Sequence, residues 1–191
     1  MNKEKVFEKE LRFFNEKRIK DSAVIVLRKL PDYFFEVAAS STGKYHPSYA
    51  LGEGGLVRHT KAAMMIANEL LNNNNTVTSF SNIEADLILF SLLVHDGIKH
   101  GEVKDKYVQF DHPMLVCDFL DDLKNELSLS DQERSVIKGA VASHMGEWNE
   151  NSYSNVVLPT PQTRIEKFVH MCDFLASRKF IEINFGGRDE R

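Results

Sequence analysis

An almost all-helical single domain is what this sequence predicts. Nearly every segment repeats its apolar residues with the 3.6-residue period of a helix, and no stretch alternates with the period of two that a half-buried strand requires. The chain's 191 residues, 42% of them hydrophobic, suffice for one sizeable core rather than two.

Taken in order, Phe7, Leu11 and Phe14 share one stripe, a second apolar run spans Val24 to Leu30, and Pro31 is placed to start a short third helix. Ser40 to Leu56 is rich in Gly, Ser and Pro and reads as a long loop, a kind of segment that is often functional in compact domains. Helices are expected at about 56–71, 82–95, 111–125, 130–145 and 161–180. Ser130 with Glu133 forms a capping box, Asp111 is a plausible N-cap, and Gly97 is placed to end the helix carrying His95. A polar connection at Asn72 to Ser81 and a loop over 146–160 complete the plan.

Composition narrows the function. The charged N-terminus lacks the apolar core of a signal peptide and no apolar run could span a bilayer, which points to a soluble, cytoplasmic chain with no membrane partner. Cys117 and Cys172 lie far apart in apolar helical segments, as reduced core thiols do. A net charge of −4 gives no general attraction to nucleic-acid backbones. The glycines of Gly52 to Gly55 are not followed by the Lys-Ser/Thr of a phosphate-binding loop, and no G-x-S-x-G nucleophile elbow is present.

The chemistry lies in the ordered set His59, His95-Asp96, His112, His144 and Asp173. His59 shares a helix face with Leu56, Ala63, Ile66 and Leu70; His112 aligns with Val116, Phe119 and Leu123; His144 aligns with Ile137 and Val141. Asp173 falls among Ile165, Val169 and Ala176, where a buried carboxylate needs a cation to meet it. A single inward histidine is usually a hydrogen-bonded core residue. Several inward His and Asp positions from separate helices instead make the donor inventory of a dinuclear transition-metal site. Asp96, at a helix end, offers two oxygens and so can bridge, whereas imidazole gives one lone pair to one ion.

The segments LVRHT at His59, VHDGIKHG around Asp96, FDHP at His112, SHMGE at His144 and HMCDFLASR at Asp173 resemble the motifs of the HD-domain metal-dependent phosphohydrolase superfamily. The resemblance covers roughly residues 50–180, with residues 1–45 as a short helical extension. Within the superfamily the chain is most similar to the HD domains of Gram-positive exoribonucleases, which carry an OB-fold region ahead of that domain, and to small stand-alone HD proteins of phages and prokaryotes. Met145 after His144 and the absence of a GYP signature separate it from the cyclic-dinucleotide branch. The resemblance implies that His59, His95, Asp96 and Asp173 hold one divalent ion, and that His112 and His144 hold a second with Asp96 as the bridge. Mn, Fe, Co or Ni suit so many imidazoles, with Mg or Zn remaining open.

Lys99 takes the place of the lysine that the related HDxGK pattern sets near the substrate phosphate, as a point charge rather than a ligand. Lys44, His46, Arg58 and Arg178 are further candidates for substrate contact, whereas His100 and His170 have no metal role in the pattern. The expected activity is hydrolysis of a phosphoester of a nucleotide, short oligonucleotide or other phosphorylated small molecule, with no obligate protein partner evident. Alternatives are a deoxynucleotide phosphatase or triphosphohydrolase, and a noncatalytic nucleotide-sensing module.

Overall fold

The computed structural model describes residues 1–40, 43, 46–73 and 79–181, and among these residues the chain is helical with no β-strand. The α-helices are α1 (Lys3–Val6), α2 (Lys17–Lys29), α3 (Gly55–Asn72), α4 (Asn82–Val94), α5 (His112–Asp122), α6 (Asp131–Ala142) and α7 (Arg164–Ala176). No helix among the described residues is long and apolar enough to cross a membrane.

Helix α4 organises the bundle. Its segment DLILFSLLV is apolar on every side, and all its residues from Asp86 to Val94 are buried, as befits a helix surrounded by others. It packs against α2, α3, α6 and α7, while α3 pairs with α7 and α5 with α6. One hydrophobic core runs from Phe7 to Ala176, so the N-terminal extension shares the core of the later helices. Asp86 links the two: it accepts hydrogen bonds from the backbone N–H of Asn15 and Glu16, at 2.9 and 2.7 Å, and from Asn15 Nδ2. These bonds cap the start of α2, where Glu16 supplies no side-chain cap of its own.

Several boundaries differ from the periodicity. Phe7, Leu11 and Phe14 are all buried, but α1 ends at Val6 and Glu10–Arg12 is a separate 3-10 turn. So short a segment takes its shape from packing rather than from helical propagation. Pro31 opens a 3-10 turn at Asp32–Phe35, and the expected long loop contains another at Ser48–Ala50. The three helices expected at 111–125, 130–145 and 161–180 are each shorter because caps set their ends. The Ser130–Glu133 capping box is present, as are two more, Ser81–Glu84 and Thr163–Glu166. Asp111 occupies its N-cap position without a side-chain cap bond. Gly97 does not adopt a left-handed conformation; a Cβ there would lie 2.7 Å from Leu30 Cδ2, so it is close approach that favours glycine. Cys117 and Cys172 are free and buried.

Candidate metal centre

The six donor residues expected from the sequence converge: His59, Asp96, His112, His144 and Asp173 line one cavity, and His95, fully buried, meets them through His59. His59 lies within α3 and Asp173 within α7; His95 is the C-cap of α4, with Asp96 just beyond it; His112 is the first residue of α5; His144 lies two residues past the end of α6. Four of the six thus come from helix termini. Those termini also orient the rings. His95 Nδ1 donates to Leu92 O and His144 Nδ1 to Val141 O, each at 2.7 Å, using carbonyls in the last turn of α4 and α6. His112 Nδ1 makes the same i−3 contact to Gln109 O at 2.7 Å. A carbonyl can only accept, so Nδ1 carries the proton in each neutral ring and the Nε2 lone pair faces the cluster. His59 lacks such an anchor: its Nδ1 is buried without a hydrogen-bond partner.

Around Asp96 the Nε2 atoms divide into two pairs. His59 and His95 face each other at 3.4 Å, with Asp173 Oδ1 at 2.9 and 3.4 Å from them. Asp96 Oδ2 lies on this side, 3.5 Å from His95 and 3.8 Å from His59. His112 and His144 also face each other at 3.4 Å, and Asp96 Oδ1 lies 3.0 and 3.7 Å from them. Two overlapping trios, His59/His95/Asp173 and His95/Asp96/His144, each bring their donor atoms within 4.8 Å of one another. His112 joins the second through its contacts to His144 and Asp96.

The donors fit a metal ion. Two lone pairs directed at each other repel unless a cation lies between them, and two nitrogens bound to one ion at about 2.1 Å would stand roughly 3.0–3.4 Å apart. Asp96 Oδ1 is buried and, despite the nearness of His112, has no aligned hydrogen-bond donor, an expensive state for a carboxylate oxygen. These buried His and Asp groups could therefore hold a metal ion.

The electrostatics agree. Burial pushes the Asp96 carboxyl up, but the Lys99 ammonium with His95 and His112 outweighs it, leaving the group well below the usual carboxylate range. Asp173 is likewise pushed up by burial and held far down by His95 and His59. Burial would lower His95, yet Asp96 and Asp173 reverse this and raise it to about 9. Burial with the neighbouring His95 pushes His144 down to about 3. The two carboxylates thus stay charged and draw a cation into the cluster, for which a proton on His95 and a metal ion compete.

The remaining candidates separate. Lys99 reaches the centre more directly than a distant phosphate contact: its Nζ lies 2.5 Å from Asp96 Oδ2. His46 lines the cavity with its ring edge-on to His59, centroids 5.1 Å apart, and burial pushes it down to about 3, so it is neutral near pH 7. Arg178 lines the cavity as well. Arg58 does not. It donates from Nε to Tyr49 O and from Nη2 to the carbonyls of Leu51 and Glu53, clamping the loop before α3 instead of facing substrate. Lys44 lies outside the described residues. Asp173 is less enclosed than its stripe suggested, its side chain keeping 17% exposure as part of the cavity lining.

Sequence reasoning missed the rest of the wall. Val108, Met145, Trp148, Phe174 and Ser177 complete a cavity of about 450 Å³. Phe174 and Met145 adjoin Asp173 and His144 in the chain, which was the available signal for both. His170, without a metal role in the sequence pattern, donates from Nδ1 to His144 O at 2.7 Å and so holds the backbone of a donor. Gly146, with φ +61°, makes room for that ring, since a Cβ would fall 2.1 Å from His170 Cε1. No family model, curated protein or solved structure matches this chain.

Proposed function

We propose that this protein is a metal-dependent phosphohydrolase of the HD type, acting on a phosphoester of a nucleotide or short oligonucleotide. The observation that carries the reading is the disposition of Asp96, whose two oxygens face two different imidazole pairs. His59, His95 and Asp173 with Asp96 Oδ2 would hold one divalent transition ion, and His112 and His144 with Asp96 Oδ1 a second. When bound, such ions supply Lewis acidity at the phosphoryl oxygens and an attacking water of lowered pKa.

The chain's own groups do the rest. The helix-end carbonyls of Leu92 and Val141 fix the imidazole planes before substrate arrives, which lowers the reorganisation needed in the reaction. Lys99, whose side chain is 12% exposed beside Asp96, places an ammonium where charge grows on the phosphoryl group. Water forms the new bond to phosphorus, the ester P–O bond breaks, and the leaving alcohol departs with a proton.

The test is a panel of nucleoside mono- and triphosphates, cyclic nucleotides and short oligonucleotides, offered to protein loaded with Mn, Fe, Co or Ni. Hydrolysis that chelation abolishes and metal restores is expected. Absence of hydrolysis across the panel by fully loaded protein would overturn the proposal.

A further inference from the structure

The cavity has a second wall that the hydrolytic step does not use. Trp148, the chain's only tryptophan, lies nearly parallel to Phe174, with an interplanar angle of 12° and ring centroids 5.7 Å apart. The Arg178 guanidinium is 4.1 Å from the Phe174 centroid and 5.5 Å from that of Trp148, and it donates from Nε and Nη2 to Ser177 Oγ. These residues share one cavity with Asp96, Lys99, His112 and Asp173. Its volume, about 450 Å³, falls within the roughly 300–1,000 Å³ of small-molecule pockets.

Both rings are tied to the metal centre by the chain itself. Phe174 directly follows Asp173, and Trp148 lies four residues after His144, with its backbone N–H donating to Met145 O at 3.2 Å. His170 braces the group from behind, bonded to His144 O and tilted against Trp148 at 6.5 Å. Trp148 nevertheless remains 44% exposed. A core-packing tryptophan would be covered; this one leaves aromatic surface open beside a strongly polar site.

We propose that this shelf of Trp148, Phe174 and Arg178 receives the flat base of a nucleotide whose phosphate lies at the His/Asp cluster. The assignment of the phosphate rests on the phosphohydrolase reading above; the shelf itself rests on its own geometry. Two nearly parallel rings with a guanidinium lying over both suit a planar, polar heterocycle, which stacks on aromatic faces and on guanidinium alike. An aliphatic chain would gain nothing from the guanidinium, and a bare sugar phosphate has no flat face to offer. The substrate class is therefore set by a nucleobase, with little demand on which base, because every base presents a π-face.

Trp148 reports on its own occupancy, since all tryptophan fluorescence comes from it. Metal-loaded protein is titrated with adenosine monophosphate, ribose monophosphate and adenosine, following fluorescence and heat. Saturable quenching by both adenine compounds is expected, with ribose monophosphate bound at least about tenfold more weakly than adenosine monophosphate. Trp148→Ala should erase that preference and leave ribose monophosphate affinity unchanged, whereas Trp148→Phe should retain most of it. Equal affinity for the two phosphates in the natural protein, or equal loss of both in Trp148→Ala, overturns the shelf. Quenching by adenosine in a protein that hydrolyses no phosphoester supports the shelf and removes the phosphohydrolase reading. Hydrolysis with no base preference does the reverse.

Discussion

Changing Asp96 to Asn is the sharpest perturbation of the centre, because it replaces one of two oxygens by a group with no lone pair. Which oxygen is replaced follows from the neighbours. Lys99 Nζ, a pure donor, lies 2.5 Å from Oδ2 and will keep the amide oxygen on its side. The NH2 then occupies the Oδ1 position, 3.0 and 3.7 Å from His112 and His144 Nε2, and donates to the lone pairs that would otherwise meet a metal ion. The half-site of His112 and His144 is closed, while that of His59, His95 and Asp173 keeps an oxygen and loses only charge. Loss of a direct ligand exceeds the 10–100-fold typical of an outer partner, so affinity at the second half-site should fall by about 100-fold or more, roughly 2.7 kcal/mol. Elemental analysis after metal loading, with a binding isotherm, should show two ions per chain in the natural protein and one in Asp96→Asn. Two ions at unchanged affinity would refute the bridging role, and loss of both would refute the division of the two oxygens between separate half-sites.

Other perturbations test neighbouring claims. Lys99→Ala removes a cation that competes for Asp96 Oδ2, so metal content should be kept or increased while kcat/KM drops at least tenfold, about 1.4 kcal/mol; reduced metal content would reassign Lys99 to holding the site together. Chelation should lower Tm: ions present at about 100 times Kd contribute about 2.7 kcal/mol, equivalent to roughly 5–11 °C for a chain of this size, and an unchanged melting curve would count against a folded-state metal site. Gly146→Ala forces a Cβ against His170 in a left-handed backbone, costing about 1–2 kcal/mol in denaturant unfolding and weakening metal binding through His144; a neutral result would show that His170 moves freely aside. Glu133 is held at about 2, chiefly by the Arg18 guanidinium. Its folded value is depressed, so its contribution is present above about pH 4.5 and is lost as pH falls toward 2. Glu133→Gln should cost about 1 kcal/mol at neutral pH and converge with the natural protein in acid, and a gap that persists at pH 2 would contradict the ionic origin.

How much of this was legible in the chain varies with how local the cause is. Asn82–Val94 announces a buried helix because DLILFSLLV has no polar face to turn outward, and Ser130–Glu133 announces a helix start because a capping box is satisfied within four residues. His59 and Asp173 were readable as inward because the 3.6-residue repeat assigns a face without knowing what it meets. Arg58 and Arg178, by contrast, look alike as cations near the site, yet one clamps the loop before α3 and the other lies over Phe174. Helical periodicity determined by itself that His59 and Asp173 turn inward, since backbone geometry repeats locally. Only the tertiary structure decided that Asp96 presents one oxygen to each histidine pair, that Lys99 closes on Asp96, and that Trp148 lies flat on Phe174. Those outcomes depend on the packing of α3 through α7 to within an ångström, and no single segment encodes the distance to another.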